Sequence, residues 1–194
     1  MTTHRSLEQA GLGFVSTVAH VVGDAQVRAR GTLGGTLAHG DPASDLPAAM
    51  LALDAVMVAQ GPSGRREIPA AEFFVDFLET ALGPDEVLVE VRFPAGAQGS
   101  YQKFNKRASD WAIVGAAAVR VNDSTRVALT NMGSIPVRAH AVEQALASGS
   151  SLADAAALVV EGTTPSTDFN ATAEYRSHLA RVLTRRALEA ASGQ

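Results

Sequence analysis

Thr32-Leu33-Gly34-Gly35-Thr36, followed after four residues by Asp41-Pro42-Ala43-Ser44-Asp45-Leu46-Pro47, is the stretch on which the reading of this 194-residue chain turns. An interior proline loses a hydrogen bond and clashes with the preceding turn, so Pro47 excludes a helix begun at Asp41. The pattern predicts a tight turn at 41–44 and a helix from Asp45, with Asp45 as its N-cap and Pro47 in the tolerant first turn. The glycines just upstream admit two readings. Paired glycines let a backbone approach an anion, with consecutive N–H groups as a nest, hydroxyls from Thr32 and Thr36, and Arg28 and Arg30 raising the local potential. Asp45 then suits a ribose hydroxyl, as acidic residues do in other nucleotide sites. The plainer reading is a glycine turn between two elements, with Asp45 only a cap.

Working outward, Leu7, Ala10, Phe14, Val18 and Val21 recur at helical spacing over 6–22, although Gly11 and Gly13 weaken that helix. Downstream, 56–59 reads as a short strand, 61–64 as a turn into a second strand through Ile68, and 86–93 as a strand closed by Pro94. Ala95-Gly96-Ala97-Gln98-Gly99-Ser100 is the best linker. Strands are expected at 101–106, 112–121 and 126–132, with a turn at 122–125. Helices are expected at about 138–147, from Ser151 as N-cap, and over about 172–191, where Tyr175, Leu179, Leu183 and Ala187 form one stripe. The fold class is α+β. Residues 1–97 form a subdomain with a mixed sheet and helices, and 98–194 a domain with a three-stranded antiparallel sheet and a three-helix bundle.

The 46% apolar and 19% charged content is that of a globular protein, its apolar share resting on alanine rather than on the 5% aromatics. A net charge of −4 argues against nucleic acid and membrane surfaces as partners. The absence of cysteine excludes disulfides, thiolate nucleophiles and an iron–sulfur cluster held by this chain, and it fits a reducing, cytoplasmic setting. The polar start predicts no signal peptide. The five histidines form no HExxH pair, and a metal site at His39, Asp41 and Asp45 is less economical than a turn beside a cap. Gly11-x-Gly13 is half a dinucleotide fingerprint without a preceding strand.

Residues 23–54 resemble the second FAD-contacting motif of the molybdenum hydroxylase flavoproteins, the family of carbon monoxide dehydrogenase medium subunits and xanthine dehydrogenase middle domains. The likeness continues through Asp85-Glu86-Val87-Leu88-Val89-Glu90-Val91, Tyr101-Gln102-Lys103-Phe104 and Asp110-Trp111-Ala112-Ile113-Val114, and ends in the last helix from Ala173 to Ala180. The resemblance puts Thr32, Leu33, Gly34, Gly35 and Thr36 on the flavin pyrophosphate and Asp45 at an acidic FAD contact. It sets Leu88 beside the flavin and Lys103 near the isoalloxazine ring. The spacing before Lys103 varies in the family, which leaves Lys106 and Gln102 open as its counterpart. A core role for Leu88 and a solvated one for Lys103 stay open too.

The implied function is FAD-dependent electron transfer within a molybdenum-containing hydroxylase, an oxidoreductase. Its partners would be a molybdenum-cofactor large subunit and a [2Fe–2S] small subunit, with no catalytic residue and no metal on this chain. The alternative is a flavin-free structural or assembly subunit that retains the fold. The family's first glycine motif, Ala-Gly-Gly-x-Ser, is missing from the sequence. The resemblance therefore implies weak FAD binding by the isolated chain and leaves open a misplaced start, a further chain supplying that subdomain, or a truncated relative. An apolar face on helix 6–22 (Leu7, Phe14, Val18) is expected to be open to self-association.

Overall fold

The computed structural model describes residues 1–121 and 124–193. Four short helices open the chain: α1 (His4–Gln9), α2 (Phe14–His20), α3 (Ala25–Arg30) and α4 (Leu33–His39). Next come α5 (Asp45–Ala52), the hairpin β1 (Val56–Gly61) and β2 (Gly64–Pro69), α6 (Ala70–Phe73), the small hairpin β3 (Phe74–Asp76) and β4 (Glu79–Thr80), and β5 (Val87–Arg92). The second half holds β6 (Gln98–Phe104), β7 (Val114–Val121), β8 (Ser124–Thr130) and β9 (Val137–Arg138). It closes with α7 (His140–Ala147), α8 (Leu152–Ala157) and the long α9 (Ala173–Ser192).

The α+β class holds. The first sheet has the order β2-β1-β5 with every pairing antiparallel, where a mixed sheet is expected from the sequence. The second has the order β6-β7-β8-β9, the expected three strands plus a two-residue edge strand. Asn122 and Asp123 of the expected turn lie outside the described residues. Ser151 caps α8 as expected, accepting from Asp154 N, and Thr172 caps α9, accepting from Tyr175 N.

Both faces of the second sheet are covered. On one, Ala117, Val119 and Ala128 join a core with α2 and α5; on the other, Ala116, Ala118, Val127 and Leu129 join a core with α7 and α9. Successive strand residues point to opposite faces, so a run such as Gly115-Ala116-Ala117-Ala118 lets helices approach closely on both sides. The alanine-heavy composition has its use here.

The helix expected over 6–22 is two helices. The chain breaks at Gly11 and Gly13, whose φ values of 67° and 57° favour glycine. The break folds α2 back on α1 and buries the stripe that the sequence left exposed: Leu7, Phe14 and Val18 all belong to the first core. Gly99 of β6 backs directly onto Phe14, and a β-carbon there would stand 2.9 Å from the ring. This removes the exposed face from which self-association was expected. Phe14→Glu buries a charge without a partner and is expected to abolish cooperative thermal melting, followed by circular dichroism, rather than to disperse an oligomer.

Candidate functional site

The glycine motif is the first turn of a helix. Thr32 is the N-cap of α4, and its hydroxyl accepts from Gly35 N at 3.0 Å. The Leu33 N–H donates to Thr2 O at 3.0 Å, and the Thr36 N–H to Thr32 O at 3.0 Å. The Gly34 N–H has no acceptor among the described residues. The expected nest of successive free amides is thus broken up, because the Thr2 carbonyl and the Thr32 cap take up the neighbours of Gly34. Leu33 and Leu37 go into the first core, which offsets the poor helix propensity of the two glycines between them.

Leu88 is brought beside this turn. Its side chain packs against the first core, and its carbonyl oxygen lies 4.0 Å from where a β-carbon on Gly34 would stand. Arg28 does not serve the motif. It donates to Glu8 Oε2 at 3.0 Å and to the Val22 and Gly23 carbonyls at 3.1 and 3.2 Å. Those carbonyls follow α2, so the guanidinium joins α3 to the end of α2.

A second cluster forms where the two halves meet. Asp45 is the first residue of α5 rather than its N-cap; Ser44 takes that place, without a side-chain capping bond. Freed from capping, the carboxylate turns inward and is 6% exposed. Tyr101 Oη donates to Oδ1 at 2.8 Å, and Lys103 Nζ to Oδ2 at 2.9 Å and to Val21 O at 3.2 Å. With the Tyr101 proton committed to Asp45, Thr130 Oγ1, at 2.9 Å, donates to Tyr101 Oη. Burial raises the pKa of Asp45, a rise countered by the charge and hydrogen bond of Lys103 and by the Tyr101 bond. Burial, reinforced by the Asp45 charge, pushes the Tyr101 phenol well above its usual value and keeps it a donor.

Of the three alternatives for the lysine position, only Lys103 reaches this cluster. Gln102 bonds to Ser100, and Lys106 is exposed in the β6–β7 loop. Among the described residues no group of three or more histidine or acidic side chains stands together in a form that could hold a metal ion. Among the described residues no helix is long and apolar enough to cross a membrane.

Comparison with known proteins covers almost all of this architecture. Residues 1–96 match the FAD binding domain in molybdopterin dehydrogenase, and residues 99–191 the CO dehydrogenase flavoprotein C-terminal domain. The carbon monoxide dehydrogenase medium chain of Hydrogenophaga pseudoflava is 38% identical over 94% of this chain and 68% of its own length. The chain belongs to the FAD-binding medium subunits of the molybdenum hydroxylase family. A caffeine dehydrogenase subunit beta from a Pseudomonas species is 37% identical over 92% of this chain and 63% of its own. Among solved structures, carbon monoxide dehydrogenase from H. pseudoflava superposes with a TM-score of 0.93 at 35% identity, covering 100% of this chain and 73% of that one. Quinoline 2-oxidoreductase from Pseudomonas putida 86 gives 0.90 at 30% identity with the same coverage.

Against the family's medium-subunit fold, the eight residues singled out by sequence fall into two groups. Thr32 to Thr36 and Leu88 gather at the start of α4, while Asp45 and Lys103 form the buried pair at the junction of the halves. Sequence reasoning missed Tyr101 and Thr130, which complete that pair. One signal was available: β6 and β7 pair Tyr101 with Ala117 and Lys103 with Gly115, so small residues across the sheet mark where large polar ones lie.

Proposed function

We propose that this chain is the flavin-carrying, electron-transferring part of a molybdenum-containing hydroxylase complex. Its partners are a molybdenum-cofactor large subunit and a [2Fe–2S] small subunit. It acts as two units meeting near residue 97, the first holding half of the FAD site and the second closing over it. FAD, when bound, supplies the redox chemistry, taking electrons from the iron–sulfur partner and passing them to an acceptor.

The observation that carries the reading is Gly34. Its missing side chain leaves open the gap between α4 and β5, its N–H has no acceptor among the described residues, and Leu88 stands across from it. A backbone amide at the positive end of a helix suits a diphosphate oxygen that approaches closely. Thr32, Leu33, Gly35 and Thr36 shape that turn. Asp45 and Lys103 retain capacity for the ligand even while paired: a carboxylate has about four acceptor sites and an ammonium three donors, so each has some left over.

Substitution at Gly34 tests this without disturbing the fold. A β-carbon there meets nothing closer than the Leu88 carbonyl at 4.0 Å, an ordinary contact. Gly34→Ala is expected to raise thermal stability by up to about 1 kcal/mol through helix propensity. It should lower FAD affinity, and Gly34→Val should lower it further. Flavin absorbance of the purified complex and fluorescence titration of the chain report binding. Undiminished FAD binding by Gly34→Val would remove this turn from the site, and an assembled complex without flavin absorbance would favour the flavin-free assembly subunit.

A further inference from the structure

A histidine lies buried against the glycine turn. His4 opens α1, and its backbone N–H donates to Gly31 O at 2.9 Å, while a bridge between Thr3 and Thr32 sets residues 2–4 antiparallel to residues 31–33. The residue is 2% exposed. Its ring fills the space against Gly31, where a β-carbon would come within 2.7 Å of Cδ2. Nε2 lies 3.0 Å from Thr36 Oγ1, and Nδ1 has no partner among the described residues. Thr36 Oγ1 has no other hydrogen bond there.

We propose that His4 is a positioning residue for the flavin site: its Nε2–H donates to Thr36 Oγ1 and commits the Thr36 hydroxyl proton to an oxygen of the flavin diphosphate. This rests on the reading that the turn at 32–36 receives that diphosphate.

The direction of the bond follows from the proton inventory. A neutral imidazole has one donor and one acceptor nitrogen. With the proton on Nδ1, a buried N–H would be left without an acceptor. With the proton on Nε2, only a lone pair goes unmet, and buried orphan N–H groups are the rarer and costlier of the two. Protonating both nitrogens would again strand Nδ1–H, and burial accordingly holds the His4 pKa below its ordinary 6.5. The Thr36 hydroxyl therefore accepts from His4 and keeps its own proton to give. A donor fixed in this way suits an anionic oxygen.

Three variants of the full chain, assembled with its partner chains where FAD binding requires them, test the assignment. His4→Phe fills the ring's space without a donor, His4→Gln restores an N–H, and Thr36→Val removes the hydroxyl. FAD affinity should fall on the order of tenfold in His4→Phe, because the Thr36 hydroxyl proton is then no longer committed to the charged diphosphate oxygen. It should recover in His4→Gln to within about threefold of wild type. In the Thr36→Val background, His4→Phe should have no further effect. Wild-type affinity in His4→Phe, or an undiminished effect without the Thr36 hydroxyl, would overturn the role of His4. If Gly34→Val leaves FAD affinity unchanged, the site reading itself fails; if it weakens binding while His4→Phe is silent, only the present assignment does. Imidazole ¹⁵N shifts of the flavin-free protein give a readout independent of binding. A neutral ring protonated at Nε2 is expected, and a ring protonated at Nδ1 would reverse the bond and sink the proposal.

Discussion

Lys103→Met is expected to destabilise the protein by about 3 kcal/mol near neutral pH, the cost of leaving a buried charge without its partner. Methionine keeps the bulk of the lysine stem, so the loss isolates the charge. Asp45 and Lys103 have side chains only 6% and 8% exposed, and after the substitution the carboxylate would keep only the Tyr101 hydroxyl. The pH dependence identifies the cause. Burial already raises the Asp45 pKa above 3.8, and removing Lys103 takes away its principal counterweight. A carboxyl whose folded pKa is raised contributes stability that is fully present below its unfolded pKa and lost as pH rises through the folded one. The deficit of Lys103→Met relative to wild type should therefore be largest near neutrality and shrink as pH falls toward 4. Adding Asp45→Asn should recover most of it, since replacing both members of a buried pair costs far less than removing one. Urea unfolding of the flavin-free chain at several pH values measures this. A deficit below about 1 kcal/mol, or one independent of pH, would mean that the pair is solvated.

That pair also marks where sequence stops being informative. Ser151 announces its helix because a cap is a local device, read from a few consecutive residues. Pro47 likewise fixes the start of α5 to within one residue, although the cap itself is Ser44. Nothing local links Asp45 to Lys103, 58 positions away, because their meeting depends on how the tertiary fold brings α5 and β6 together. The first two helices show the same limit. Periodicity finds the apolar stripe of Leu7, Phe14 and Val18, but only the tertiary fold tells that β6 and α5 cover it. At the glycine motif propensity itself misleads. Two glycines argue against a helix, yet the Thr32 cap and the burial of Leu33 and Leu37 make one. The resemblance named residues at this turn without their conformation.

Gly115→Ala is expected to cost about 3 kcal/mol or more, although it adds one methyl group to a strand that already contains three alanines in a row. Gly115 pairs with Lys103 on one side and Thr130 on the other, and the Tyr101 ring lies over its α-carbon. A β-carbon would stand 2.1 Å from Tyr101 Oη, 2.8 Å from Cζ and 3.0 Å from Thr130 Cβ. An aromatic ring packed in a core has no flexible end to move aside, so the phenol must leave its position. Displacing it removes the Tyr101 bond to Asp45 and the acceptor for Thr130 together, adding unmet buried polar groups to the steric strain. Tyr101→Phe supplies the control. Alone it should cost about 1–3 kcal/mol, for a carboxylate and a hydroxyl each short of a partner. Combined with Gly115→Ala it should cost clearly less than the sum, because the methyl then no longer collides with an oxygen. Neighbouring alanines at 116–118 tolerate their methyl groups, so the penalty is specific to the position that faces the phenol. Thermal unfolding of the three variants decides it: additive losses, or a Gly115→Ala protein that melts with wild type, would mean that Tyr101 does not reach across Gly115 to Asp45.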